Sequence, residues 1–274
     1  MAIIVSFIIG FGSALLFAYI LYWLDRFEKE PLLLLGAVFL WGAVVAAGAA
    51  FIINTVLGIG IFVFTGSEAA TNLTTGSIIA PLVEETLKGA AVLIVFLIFR
   101  REFDSVLDGI IYAGVAALGF AATENTYYIY SYGYQEGGWS GLFTLVFVRV
   151  ILVGWQHPAY TALIGIGLAV ARANRSWAVK IAAPLLGWAA AIFTHALHNT
   201  IASFASGAGG PPYLTSITGT VARRPASSRT RRRVNVGVKP QPRLVASGPS
   251  TGFTPSGILF LTAWRYSITL LLAQ

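Results

Sequence analysis

Apolar runs long enough to cross a bilayer recur along this chain, and they constrain its fold more than any other feature. They lie at residues 3–24, 32–53, 77–99, 105–130, 142–170 and 181–205, with a weaker run at 257–274. A helix of about 20 apolar residues spans the roughly 30 Å hydrocarbon core, and only structures that satisfy their own backbone hydrogen bonds survive there. The expected fold is therefore all-α: a polytopic transmembrane helix bundle of about six core spans plus the weaker C-terminal one. Charged residues make up 11% of the chain, against about 25% in soluble domains. The stretch Val56–Phe64 is too short to cross alone, so it either extends the second helix or lies at the interface. The N-terminus lacks the basic segment of a signal peptide and reads as the first span. Cysteine is absent, which excludes disulfides, thiolate metal ligands and cysteine-protease chemistry.

The net charge of +7 hides an asymmetry: residues 1–205 hold nine Lys/Arg and eleven Asp/Glu, whereas 206–274 hold nine Lys/Arg and no acid. The expected division is a helical membrane domain at 1–205, a basic Gly/Pro/Ser/Arg-rich disordered segment at 206–256, and a possible transmembrane helix at 257–274. The tail's composition also suggests a frame-shifted or unrelated terminus. Arg26 and Lys29, Arg100 and Arg101, and Arg172, Arg175 and Lys180 follow the first, third and fifth spans, so these loops are expected in the cytoplasm with Met1 outside. The expected partners are the lipid bilayer and a protein anchored in it, and not nucleic acid.

Ionisable groups inside spans are costly and point to function. In the third span, Glu84 and Glu85 precede Lys88, which sits one turn after Glu84; two carboxylates beside an ammonium suit acid–base work. The bland alternative is an inert Glu84–Lys88 pair that leaves Glu85 without a partner. Glu124 in the fourth span is either catalytic or an interface carboxylate. His157 lies in the fifth span, and His195, His198 and Asn199 lie in the sixth, where His195 and Asn199 share a face. Arg149 either clamps a carboxylate or snorkels outward. At about 1.5 Å per residue, Glu84, Glu85, Glu124, His157, His195 and Asn199 fall in one layer, in the expected outer half of the membrane.

These segments resemble the PrsW family of intramembrane proteases, part of a wider group with CAAX-processing Rce1-like proteases and the APH-1 subunit of gamma-secretase. Glu84-Glu85-x-x-Lys88 resembles the paired-glutamate motif, and Gly119-Phe120-Ala121-x-x-Glu124-Asn125 the second. His157 in its Arg149-led span resembles the third, and His195-x-x-His198-Asn199 the last. Asp25-Arg26-Phe27-Glu28-Lys29-Glu30-Pro31 is similar to the family's acidic first loop, with Lys29 where proline is common. The resemblance ends near residue 205, where the family usually continues with further apolar helices.

The resemblance implies peptide-bond hydrolysis in a bacterial or archaeal cell membrane, acting on a membrane-anchored protein such as an anti-sigma factor or a small immunity-related peptide. In the expected mechanism Glu84 or Glu85 is the general base, with Glu85 preferred because Lys88 would occupy Glu84. His195 and Asn199 would bind the oxyanion, Glu124 would orient the water or the imidazoles, and Lys88, His198 and Arg149 would give electrostatic support. In the metal variant, His157, His195 and Glu124 hold a divalent ion such as zinc. No His-Glu-x-x-His motif favours it. Two other classes remain: a non-catalytic scaffold, and a proton-coupled transporter with a carboxylate relay. The chain shows no internal repeat of the kind transporters carry.

Overall fold

The computed structural model describes residues 1–25 and 28–207. The expected disordered segment, apart from its first two residues, and the expected C-terminal helix lie outside the described residues. Among those described there are helices and no strands: α1 Ala2–Leu24, α2 Leu32–Leu40, α3 Ala47–Thr65, α4 Glu68–Thr74, α5 Ala80–Ile98, α6 Val106–Tyr128, α7 Gln135–Val146, α8 Gln156–Ala173 and α9 Trp177–Gly207. Short π-helical turns join several of them, at Trp41–Ala46, Thr75–Ile79, Ile129–Tyr134 and Phe147–Leu152.

The second apolar run does not stop at residue 53. Helix continues from Leu32 to Thr65, so Val56–Phe64 extends it, and Gly66, with a positive φ of 62°, ends it in the left-handed conformation that glycine adopts freely. The fifth run, in contrast, is not one helix. The chain leaves helical geometry at Val153 and restarts at Gln156. Pro158 lacks the N–H that would bond to residue 154, which removes a rung where the break falls. A Cβ on Gly154 would overlap the Val150 carbonyl and the Phe17 ring, so the break is closed by a residue without a side chain. As a result His157 sits in the first turn of α8 rather than in mid-span.

Helix α6 is the centre of the molecule, with nearly every residue from Ile111 to Ala122 buried. It packs on α1, α8, α2 with its following π turn, and α5. Its small residues allow this, because helices in lipid associate through close backbone approach. A Cβ on Gly119 would overlap the Phe39 carbonyl, and one on Gly109 would meet the Gly165 carbonyl. Helix α1 presents Ser6, Gly10 and Ala14 inward at helical spacing, while Phe7, Ile8, Leu15 and Leu16 face outward. Large exposed apolar side chains also cover α3 and α9, which suits lipid as the surrounding solvent.

Candidate active site

Helix α5 turns one face toward the bundle, and that face carries Glu84, Glu85 and Lys88, all buried. Lys88 Nζ donates to Glu85 Oε1 at 2.6 Å and lies 3.8 Å from Glu84 Oε2. The expected Glu84–Lys88 ion pair is present, but the ammonium's hydrogen bond goes to Glu85. Glu85 is saturated further. His195 Nδ1 lies 2.9 Å from its Oε1, and the Thr161 hydroxyl donates to its Oε2 at 2.8 Å. Glu84 Oε2 is buried with no hydrogen-bond partner, and Oε1 has only a 3.5 Å contact from the Asn54 amide. Of two adjacent glutamates, one is hydrogen-bonded at both oxygens and the other keeps an oxygen without a hydrogen bond.

A second carboxylate is fixed from the other side of the site. Arg149 donates through Nη2 to Glu124 Oε2 at 2.6 Å and through Nε to Asn125 Oδ1 at 2.8 Å. Its guanidinium lies 4.2 Å from the centre of the Tyr128 ring. Arg149 is 8% exposed, so it clamps a carboxylate and does not snorkel. Glu124 Oε2 also lies 2.9 Å from His157 Nε2.

Each imidazole is therefore held at one nitrogen by a carboxylate, His195 by Glu85 and His157 by Glu124. Their other nitrogens face inward: His195 Nε2 is 3.9 Å from Glu84 Oε2, and His157 Nδ1 is 3.4 Å from Lys88 Nζ. Ligand atoms of Glu84, His157 and His195 all lie within 4.8 Å of one another. Glu84 therefore takes the place expected for Glu124 in the candidate metal set, since Glu124 is committed to Arg149 and His157.

Asn199 and His198 stand apart from this centre. The π turn at Thr75–Ile79 pairs the Ala80 N–H with the Thr75 carbonyl, and the next N–H in that pattern would be that of Pro81, which has none. Asn199 Nδ2 donates to the carbonyl left over, Gly76 O, at 2.9 Å. One of its two amide N–H groups is thereby used to hold the start of α5. His198 is half-buried, and its ring stacks toward Tyr160 at 6.1 Å. Lys88 Nζ lies 4.3 Å above the Phe120 ring, which places Phe120 of the second motif against the site.

Three neighbours of the centre were missed by reading the sequence. Thr161 follows His157 by one helical turn, and Tyr160, whose ring stacks on His195 at 5.1 Å, follows it by three residues. Helical spacing from His157 would have flagged both. Asn54 is an isolated amide in an apolar helix, the same signal that singled out the charged residues.

Comparison with known proteins decides the family. The model of the PrsW family, described as intramembrane metalloproteases, matches residues 30–222. The chain belongs to the PrsW family. It is similar to "Protease PrsW" of Clostridioides difficile (strain 630), 38% identical over 115 residues, which is 40% of this chain and 46% of that protein. It is also similar to "Protease PrsW" of Geobacillus kaustophilus (strain HTA426), 29% identical over 154 residues, covering 56% of this chain and 60% of that one. The chain spans about half the length of the curated relatives it matches. No solved structure matches. PrsW membership and the apolar helices together make this an integral membrane protein.

The PrsW description implies a metal, and the site's chemistry fits one. One carboxylate oxygen and two imidazole nitrogens form a ligand set used by catalytic zinc. Carboxylates on the far nitrogens of His157 and His195 are the supports that metal-bound histidines use.

Proposed function

We propose that this protein is an intramembrane endopeptidase that hydrolyses a peptide bond of a membrane-anchored protein, with Glu84 as the reacting carboxylate. The observation that carries this reading is the contrast between Glu84 and Glu85. A base must have an oxygen to offer, and Glu84 has a buried, unpartnered one while Glu85 has none. Glu84 takes the proton of the attacking water. Lys88, held by Glu85, supplies a fixed positive charge beside the carbonyl as it becomes tetrahedral, in a site from which bulk water is excluded. Glu85 and Glu124 orient His195 and His157, and Arg149 keeps Glu124 in register.

A divalent ion such as zinc would be held by Glu84, His157 and His195, and Glu84 would then serve as a ligand, its role as proton acceptor belonging to the ion-free site. When bound, it would acidify water and polarise the scissile carbonyl. The expected setting is a bacterial membrane, which the bacterial relatives support, and the substrate class we propose is an anti-sigma-factor-like membrane protein. The N-terminus is placed outside by the distribution of basic loops. The residues 1–205 act as the catalytic domain.

Cleavage of a single-span substrate by purified protein, before and after chelation and metal return, tests the reading. Glu84→Gln is expected to abolish cleavage, and chelation to suppress it until the ion is restored. Full activity in Glu84→Gln would sink the assignment. Activity that survives exhaustive chelation would remove the ion and leave Glu84 as a base acting alone. A scaffold or a transporter would show no cleavage, and the transporter would move protons in liposomes.

A further inference from the structure

Hydroxyl groups in membrane helices ordinarily donate back to the carbonyl one turn earlier, and this protein follows that habit at Thr55, Thr86, Thr126, Thr144 and Thr194. Among the described residues three buried hydroxyls have no hydrogen-bond partner at all: Ser6 Oγ on α1, and Thr75 Oγ1 and Ser77 Oγ, both in the π turn that opens α5. Asn54 Oδ1 on α3, Asn199 Oδ1 on α9 and Glu84 Oε2 share that condition. Most of these atoms are not scattered. The Asn54 amide reaches Glu84, the Asn199 amide reaches Gly76 between Thr75 and Ser77, and a Cβ on Gly58, one turn along α3 from Asn54, would sit 3.3 Å from Thr75 Oγ1. Ser77 precedes Glu84 by two helical turns on α5. Five of the seven such atoms among the described residues therefore trace one seam, where α3 and α9 meet the start of α5, and the seam ends at Glu84; the other two, Ser6 Oγ and Gln156 Oε1, lie on α1 and α8.

Buried polar atoms without partners are rare, because leaving each one unsatisfied costs free energy. A seam that concentrates them is more stable open and wet than its apolar surroundings would be. Hydrolysis in lipid also needs a supply of water that the hydrocarbon does not provide. Building on the reading of Glu84 as the reacting carboxylate, we propose that the α3–α5–α9 seam is the path by which water reaches it, with Thr75, Ser77, Asn54 and Asn199 as successive stations. The π turn is what makes the path: it rotates Thr75 and Ser77 away from their usual carbonyl partners, and Asn199 holds the turn in that form.

The chain's lack of cysteine makes the path directly testable. Single variants Ser77→Cys, Asn54→Cys and Ile78→Cys in proteoliposomes are exposed to a charged, membrane-impermeant methanethiosulfonate, which reacts only with a hydrated thiolate. Ser77 is 7% exposed and Ile78 is 61% exposed in the structure, so a dry seam predicts faster labelling at Ile78. The proposal predicts the reverse, with Ser77→Cys and Asn54→Cys labelled at least tenfold faster. Equal or faster labelling at Ile78, with full labelling of all three after denaturation, overturns it. A second measurement uses the same label on a dried path. In the Ser77→Cys background, Thr75→Val removes a hydroxyl that would bond the path's water and should slow labelling at least tenfold, whereas Thr161→Val, which lies off the seam, should leave it unchanged. Equal labelling in all three overturns the proposal. Neither readout uses cleavage, so failure of the path is distinguishable from failure of the peptidase reading.

Discussion

Two groups of buried carboxylates in this molecule are handled in opposite ways. At the site, Glu84, Glu85 and Glu124 are set among Lys88, Arg149 and two imidazoles. At the other end of α6, Asp25, Glu30 and Asp108 are set among hydrogen-bond donors, with no ion pair to them among the described residues. Asp25 Oδ2 accepts from the Glu30 N–H at 3.1 Å. Asp108 accepts from the N–H groups of Asp104 and Ser105 at 2.8 and 2.7 Å, closing the capping box of α6. Glu30 Oε2 accepts from the Tyr112 hydroxyl, and the Tyr112 ring stacks against Phe103. Burial, together with the neighbouring charges of Asp108, Asp25 and Glu102, pushes the Glu30 carboxyl up to about 7. At the site, cations lie within ion-pair distance of the carboxylates. Hydrogen-bond donors alone leave Glu30 free to carry a proton, as a strut that ties the first loop to α6.

Substitutions can break this contrast, and the largest effect is expected where a fixed pair is cut. Glu85→Gln strands the Lys88 ammonium in the bundle and should cost about 3–5 kcal/mol of stability as well as activity. Glu84→Gln should lose cleavage by about 10²–10⁴-fold with little loss of stability; thermal denaturation of both variants separates them, and equal destabilisation would erase the distinction drawn between the two glutamates. Arg149→Lys keeps the charge but not the fork that grips Glu124 and Asn125. It should reduce cleavage by about 10-fold to 100-fold, the range seen when supports of metal-bound histidines are lost, and full activity would show that charge alone suffices.

The loop group gives the next effect. Glu30 binds its proton more tightly folded than unfolded, so the folded state gains protons between pH 4.5 and about 7. Its contribution to stability is full below pH 4.5 and is lost as pH rises through about 7. Glu30→Gln, which resembles the protonated form, should flatten thermal stability across that window, and an unchanged pH profile would count against the strut. The smallest effect is expected for Thr161→Val, about 1–2 kcal/mol for one lost hydrogen bond to a charged group, accompanied by a modest fall in turnover. A neutral result would show that Lys88 and His195 hold Glu85 without it.

Much of the site was legible before any coordinates. A charged residue in an apolar run stands out because lipid offers it no solvent, and that rule alone found Glu84, Glu85, Lys88, Glu124, Arg149, His157 and His195, which do converge. Three details needed the packing. Spacings of three and of four residues both put side chains within reach on a helix, and Lys88 hydrogen-bonds Glu85 while staying 3.8 Å from Glu84. Hydropathy does not register the helix break that falls within residues 142–170. A buried amide advertises no partner, and that of Asn199 donates to the Gly76 carbonyl at the start of α5.

The sequence by itself determined the solvent, the helical class and the roster of groups that had to be accounted for, since each follows from the cost of placing a polar group in hydrocarbon. What only the tertiary structure decided is which of those groups is spent and which is free. Glu84 and Glu85 are neighbours of identical chemistry. They differ because α8 and α9 bring Thr161 and His195 to one and leave the other facing Asn54 and a buried seam, and that difference is made by helix packing.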